Sequence, residues 1–499
     1  MNNISITENG AVGFKSYGSA LVDLNFKACS FRDKPHELKK LFSKAYKENP
    51  VLALKWLFYA RDIRGGMGER SIVRHAMAWL QWKHPDVLNA VMELLPEYGR
   101  WDDVIYLMEF STTREKAFDL VYKQLKEDLG RIPDGKGVSL LGKWLPSITS
   151  SNQKTRMRAY DIAKRLGFSP KLYRKACSIL RERIEVVERL MSTNKWGDID
   201  YSKVTSQANL KYSNAFKRRD GERYAEFISQ VNNGNASINA KVLMPYQIVH
   251  KYTSQNESKI SEVAEIEALW NNLPKIESTG LVILDGSFSM LDSVGKTKIT
   301  CRDIASSLAI YMSQNCKGAL KDKFITFGMI PRFVDIGDCS SLAECLNTAL
   351  KNTDCSNTDI FLTYKGLADM AVRYNLSQEE LPDRLIIVSD MEFDAGCCGV
   401  YGINSTRYKQ ADKALFDSIK DYWDKAGYKM PKLVFWNIMS RTNTIPVTEN
   451  ELGVILMSGF SANAVNMAMS GEIDPYKAIV GVLSDPRYNL VEECLNALK

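Results

Sequence analysis

The sequence predicts a multi-domain protein, an α-solenoid over residues 1–274 followed by an α/β domain with an open, mostly parallel sheet over residues 275–499. Three observations lead there. Helical periodicity runs almost unbroken from Pro35 to Trp270, with little strand-like alternation. After Pro274 the text changes to short, continuous Val, Ile and Leu runs separated by amphipathic stretches, the pattern of strands covered on both faces. The charge divides at the same place: residues 1–275 carry 44 basic and 31 acidic side chains (+13), and residues 276–499 carry 22 and 28 (−6), so the overall +7 is a near-cancellation.

In the first half, Leu38, Leu41, Phe42 and Tyr46 form one helical stripe that stops at Asn49-Pro50 and resumes with Leu52, Trp56, Leu57 and Ala60. Further helices are expected near 71–82, 86–95, 101–110, 113–128, 154–166, 170–192 and 221–231. No clean repeat of fixed period is visible. The glycines of RGGMGER follow helical text and lack the phosphate-loop spacing, so they predict a helix end and a tight turn. In the second half, strands are expected at 280–285, 324–327, 332–336 (an edge), 384–390, 432–437 and 453–457, with helices at 299–315, 340–351 and 408–427. Ligands of such sheets bind at the carboxyl ends of the strands.

Several function classes fall away. MNNISITENG has no basic stretch leading into an apolar run, so no signal peptide is expected. No apolar run approaches the ~18 residues of a membrane span, so neither membrane insertion nor a membrane partner is expected. The ten cysteines show no C-x-x-C spacing and read as reduced thiols of a cytoplasmic protein. His36, His75, His84 and His250 all precede Pro274, so the second half cannot build a His zinc site or a Ser-His pair from its own residues.

The chemistry-bearing constellation lies in that half. Asp285-Gly286-Ser287-Phe288-Ser289 ends the first strand, with oxygen side chains at alternate positions on the following turn. Ser389-Asp390 closes a second buried strand, and Thr358 lies in a polar loop between them. Two carboxylates with serine and threonine hydroxyls suit Mg²⁺, a hard cation that prefers oxygen ligands. Taken alone, D-x-S-x-S is equally an ordinary helix N-cap. The full set, Asp285, Ser287, Ser289, Thr358 and Asp390, resembles the metal-ion-dependent adhesion site of von Willebrand factor A domains. That resemblance implies a Rossmann-like A-type domain in which hydroxyls contact the metal, the aspartates act mainly through water, and one position stays open for a partner's carboxylate.

Residues 151–220 hold 17 basic and 7 acidic side chains. This surplus exceeds what balanced i,i+4 pairing absorbs, so the charges predict a polyanion surface, with Arg174, Lys175, Lys203, Lys217, Arg218 and Arg219 as the candidate RNA-contacting residues. The interleaved aromatics Tyr160, Tyr173, Trp196, Tyr201, Tyr212 and Phe216 offer stacking platforms, but their helical spacing is read first as core.

Over most of its length the chain resembles the Ro ribonucleoprotein (TROVE-domain) family and its bacterial, plant and phage relatives of uncharacterised function. The segments that carry the resemblance are FYARDIRGGMGER (58–70), YGRWDDVIYL (98–107), KWLPS (143–147) and YRKACSILRERIEVVERLMSTNKWGDIDYSKVTSQANLKYSNAF (173–216). ILDGSFSM (283–290), IIVSDMEFD (386–394), LVFWNI (433–438) and SGFS (458–461) continue it. The resemblance implies HEAT-like repeats in a ring closed by the A-type domain. It also implies a monomeric, non-enzymatic protein that binds structured small noncoding RNA and the single-stranded 3′ ends of misfolded RNA. At the Mg²⁺ site an acidic protein partner, such as an RNA-processing enzyme, or a phosphate is expected. Two alternatives stay open from the residues: a protein-interaction scaffold without dedicated RNA, and a two-metal nuclease built on Asp285, Asp390, Glu392 and Asp394.

Overall fold

Proline opens many of the helices, where its fixed φ fits the first turn and its missing N–H costs nothing. In the computed structural model, α2 (Pro35–Glu48), α3 (Pro50–Arg61) and α5 (Pro85–Val91) begin this way. The structure describes residues 3–254, 263–327, 331–353, 360–393, 419–446, 453–468, 472 and 474–498. Before these helices come a short antiparallel pair, β1 (Ile4–Ile6) and β2 (Val12–Phe14), and α1 (Ala20–Lys27). The helical part continues with α4 (Ser71–Lys83), α6 (Leu95–Tyr98), α7 (Trp101–Leu107), α8 (Arg114–Arg131) and α9 (Leu141–Trp144). Next come α10 (Gln153–Arg165), α11 (Pro170–Arg183), α12 (Val187–Ser192), α13 (Ser206–Arg219), α14 (Gly221–Asn232), α15 (Pro245–Thr253) and α16 (Ala264–Asn271). The expected single helix over 170–192 is broken at Glu185, which takes a left-handed φ of 50°.

The apolar stripes meet in an aromatic core in which Phe42 packs against Tyr46, Trp56 and Trp79 at centroid distances of 5.6–6.4 Å. The RGGMGER turn closes α3 as expected: the amides of Met67 and Glu69 donate to the carbonyls of Tyr59 and Ala60. A Cβ on Gly66 would lie 2.0 Å from the Tyr59 carbonyl oxygen, so this turn excludes any side chain there.

The second part is a six-stranded sheet ordered β5-β4-β3-β6-β7-β8. Its strands are β3 (Gly280–Leu284), β4 (Lys323–Thr326), β5 (Arg332–Asp335), β6 (Arg384–Ser389), β7 (Lys432–Asn437) and β8 (Val454–Ser458). All neighbours are parallel except β5, which pairs antiparallel with β4 at the edge. Helices α17 (Cys301–Gln314), α18 (Leu342–Asn352) and α19 (Ile360–Tyr374) accompany the sheet, and residues 419–426 are helical. The chain ends with α20 (Val465–Ala468), α21 (Pro475–Leu483) and α22 (Asn489–Asn496).

Both ends of the helical part rest on the sheet part. At one end α1 packs on β7 and β8, where the buried amide of Asn437 of β7 donates to the Phe26 carbonyl at 2.8 Å. The Phe14 and Ile445 backbones exchange two hydrogen bonds of 2.8 Å. At the other end α15 packs on α17, where Asp303 accepts from Thr253 at 2.6 Å and lies 2.9 Å from His250 Nδ1. Glu267 accepts from the first two amides of α18, at 2.8 and 3.2 Å, so a carboxylate of one part caps a helix of the other. The return crossing is made by α21 and α22, which pack on α3; Arg487 pairs there with fully buried Asp62, and Glu492 with Lys55 at 2.8 Å.

Candidate functional site

The two central strands bring the candidate metal ligands together. β3 and β6 lie parallel with Leu284 opposite Val388, so Asp285 and the Ser389-Asp390 pair leave adjacent strand ends. Ser389 Oγ donates to Asp285 Oδ2 at 2.5 Å, and the Ser287 amide donates to Asp285 Oδ1 at 2.9 Å. The Ser287 and Ser289 hydroxyls lie 3.0 Å apart, and Ser289 hydrogen-bonds Asp390. After Asp390 the chain turns sharply. Met391 is buried with a left-handed φ of 64°, and the amides of Met391 and Glu392 fold back onto Ser389 Oγ and Asp390 Oδ1. A long apolar side chain held in that region is strained, and such strain concentrates at sites that must aim a neighbour.

Asp285 and Asp390 are each 2% exposed. Burial pushes both carboxyls up; for Asp390, burial and then the charge of Asp285 raise the value to about 7. Two buried carboxylates that resist ionisation, with serine hydroxyls converging on them, fit a small divalent cation, which would relieve their repulsion. Asp285, Ser287, Ser289 and Asp390 are therefore brought together as the sequence spacing predicts, while Thr358 lies outside the described residues. Beside them, on the turn Phe288–Leu291, the ring of Phe288 is 71% exposed.

One residue at this site, Arg441, escapes the sequence reading, and another, Glu392, has a different part from the metal ligand of the two-metal alternative. Arg441, in the turn after β7, pairs with Asp390 at 3.4 Å, with Glu8 of the N-terminal turn at 2.6 Å and with Asp292. Its position just past a strand end, on the ligand-binding side of a parallel sheet, is the one signal that could have found it. Glu392 is buried and its carboxylate is filled by donors: the amides of Glu8, Arg441 and Thr442 at 2.6–2.9 Å and the hydroxyls of Ser440 and Thr442. It braces the turn that carries Arg441 and has no lone pair left for a second metal. Asp394, the other residue of the two-metal alternative, lies outside the described residues. Among the described residues no group of three or more His, Cys, Asp or Glu is placed to hold a metal.

The six candidate RNA-contacting residues fall into two groups. Arg174 and Lys175 lie on α11, and Arg218 and Arg219 end α13; all four are exposed and none forms an ion pair among the described residues. Lys203 pairs with Asp200 at 3.6 Å, and Lys217 pairs with the nearly buried carboxylate of Glu265. The Lys217-Arg218-Arg219 run also sits in the last turn of its helix, where the helix dipole favours cations. Tyr173, Tyr201 and Phe216 are core residues, whereas Tyr160 is 46% exposed. No helix among the described residues is long and apolar enough to cross a membrane.

Residues 279–483 match the family described as Domain of unknown function (DUF7788), and residues 7–126 and 167–275 match the family described as Domain of unknown function (DUF2828). The chain is 26% identical to Uncharacterized protein L728 of Acanthamoeba polyphaga mimivirus, over 97% of this chain and 88% of that protein.

Proposed function

We propose that this chain is a non-enzymatic RNA-binding protein, similar in plan to the Ro ribonucleoproteins, whose basic helical part holds RNA and whose A-type sheet domain docks an acidic protein partner. The carrying observation is the set of exposed cations on α11 and at the end of α13 that no carboxylate neutralises among the described residues. Such cations gain most from phosphates, whose binding releases condensed counterions. The docking of both ends of the helical part onto one sheet supports a closed, ring-like layout.

Asp285, Ser287, Ser289 and Asp390, with Thr358, would hold Mg²⁺, which when bound supplies an open coordination position for a carboxylate. The protein's own residues prepare that position. Buried Asp285 and Asp390 concentrate negative charge, Ser389 and the strained Met391 turn fix their direction, and exposed Phe288 offers an apolar contact beside it. An apolar ring at the rim favours a protein ligand over a phosphate.

The test is fluorescence anisotropy with a structured RNA bearing a single-stranded 3′ tail, titrated across salt. Charge reversal at Lys175, Arg218 and Arg219 together is expected to weaken binding and flatten the salt dependence. Unchanged affinity and slope would remove this surface from the proposal. Copurification of a nuclease-resistant protein complex without RNA would favour the scaffold reading instead.

A further inference from the structure

A cavity of about 630 Å³ opens between α9, α11, α12 and α13, away from the sheet. Lys143, Arg174, Arg181, Arg189 and Lys211 reach it, against the single carboxylate of Glu188 among its lining residues. The volume falls within the ~300–1,000 Å³ of small-molecule sites.

We infer that this cavity binds a phosphate monoester, carried either by a free nucleotide or by the 5′ end of an RNA chain. Five cations converging on one space repel each other unless an anion joins them. One of them, Arg181, is built in, whereas Lys211 is an exposed side chain of α13. The Arg181 guanidinium is held by the Gly142 and Leu145 carbonyls at 3.0 and 2.7 Å, and Lys211 Nζ lies 3.0 Å from the Tyr212 hydroxyl. Arg189 is half-satisfied by Glu182 at 2.9 Å, while Lys143 and Arg174 have no ion pair among the described residues. The surplus matches a doubly charged monoester better than a singly charged diester, and the arginine forks give the directional contacts. Trp144 forms a flat wall that a base can stack on; Arg100 lies 4.8 Å from its ring centroid and steadies it.

This inference goes beyond the RNA-surface proposal and does not depend on it, since a mononucleotide would fill the cavity without any RNA. The experiment is calorimetric titration of the full chain, at fixed ionic strength, with five probes. They are inorganic phosphate, adenosine, adenosine 5′-monophosphate, and an eight-nucleotide single-stranded RNA with and without a 5′-phosphate. The monophosphate is expected to bind where adenosine does not, or the phosphorylated RNA to bind at least about tenfold tighter than its 5′-hydroxyl twin. The first result assigns the site to a free nucleotide and the second to a chain end. Lys143→Gln and Arg174→Gln, both lacking ion pairs to lose, are each expected to erase most of that preference while leaving the melting temperature in place. Equal binding of phosphorylated and unphosphorylated probes, or a preference that survives both substitutions, would overturn the assignment. Failure of both RNA probes alongside binding of the monophosphate would overturn the RNA proposal and leave the cavity site standing.

Discussion

Replacing Asp390 by Asn should stabilise the metal-free protein and abolish its response to Mg²⁺, a pairing of signs that few other origins produce. The folded state raises the Asp390 carboxyl from 3.8 to about 7, chiefly by burial and then by repulsion from Asp285. A carboxyl raised on folding supports the fold below its unfolded value and loses that support as pH climbs through the folded one. At pH 8 ionising it therefore costs on the order of 4 kcal/mol. Asparagine removes that cost, which already includes the opposing attraction of Arg441, and keeps an acceptor for the Glu392 amide. The net gain in EDTA at pH 8 is roughly 3–4 kcal/mol, and falls to roughly 1.5 kcal/mol at pH 5, which still lies above the unfolded value. Mg²⁺ at a hundredfold excess over its Kd stabilises the wild type by about 2.7 kcal/mol and should leave the variant unmoved. In thermal melts at ~2–4 °C per kcal/mol, the variant leads in EDTA and loses most of that lead in Mg²⁺. A variant that melts lower than wild type in EDTA at pH 8, or Mg²⁺ shifts of equal size in both proteins, would refute the reasoning.

The Mg²⁺-induced melting shift of the wild type should grow from pH 5.5 to pH 8, because protons compete for the Asp390 carboxyl; a shift independent of pH would place the cation elsewhere. Arg61→Ala leaves Asp103, which is 0% exposed, with only Arg74 as a charged partner beside the Arg100 amide, and should cost roughly 3 kcal/mol in urea unfolding; a loss under about 1 kcal/mol would contradict it. Glu267→Ala removes the acceptor for two α18 amides and the Tyr252 hydroxyl, so amide exchange at Leu342 and Ala343 should accelerate and stability fall by roughly 2 kcal/mol. Lys217→Glu, placed against Glu265, should lower the melting temperature, whereas Arg218→Glu should leave it alone and reduce the salt slope of RNA binding by about 1; the reverse assignment would mean Lys217 is the RNA contact.

What the sequence made legible was whatever depends on local pattern. The runs ending in Asp285 and Asp390 became neighbouring strands because continuous Val, Ile and Leu text needs cover on both faces, and the edge strand at 332–335 lies at the edge. What stayed hidden depends on distant partners or on unusual faces. Ile4–Ile6 and Val12–Phe14 are too short to read as strands, and β2 makes sense only once Ile445 is beside it. Helix α13 buries Ala208, Asn209 and Ser213 along with Phe216, so it lacks the apolar stripe that announces a helix. Arg441 sits in a polar turn that gains meaning only when the fold sets it against Asp390, Asp292 and Glu8. The cation-rich cavity was half visible, as a charge surplus without an address; the address came from α9, α11, α12 and α13 closing around it.

The crossing of both chain ends bears on how the protein is made. The Ser5 hydroxyl lies 2.9 Å from that of Thr444, a contact spanning 439 residues. At the ~5–20 residues per second of synthesis, the N-terminal turn must wait roughly 20–90 s for its partner to emerge. Until then α1 can lie on α2 and α3 but has neither β8 nor α21, so its sheet-facing side is uncovered through most of translation. Nascent chains should therefore be chaperone clients until β8 and α21 have emerged. Removing α22 alone would leave Arg487 on Asp62 but strip Lys55 of Glu492 and α3 of a packing partner, so a helix near the start of the sequence depends on one made hundreds of residues later.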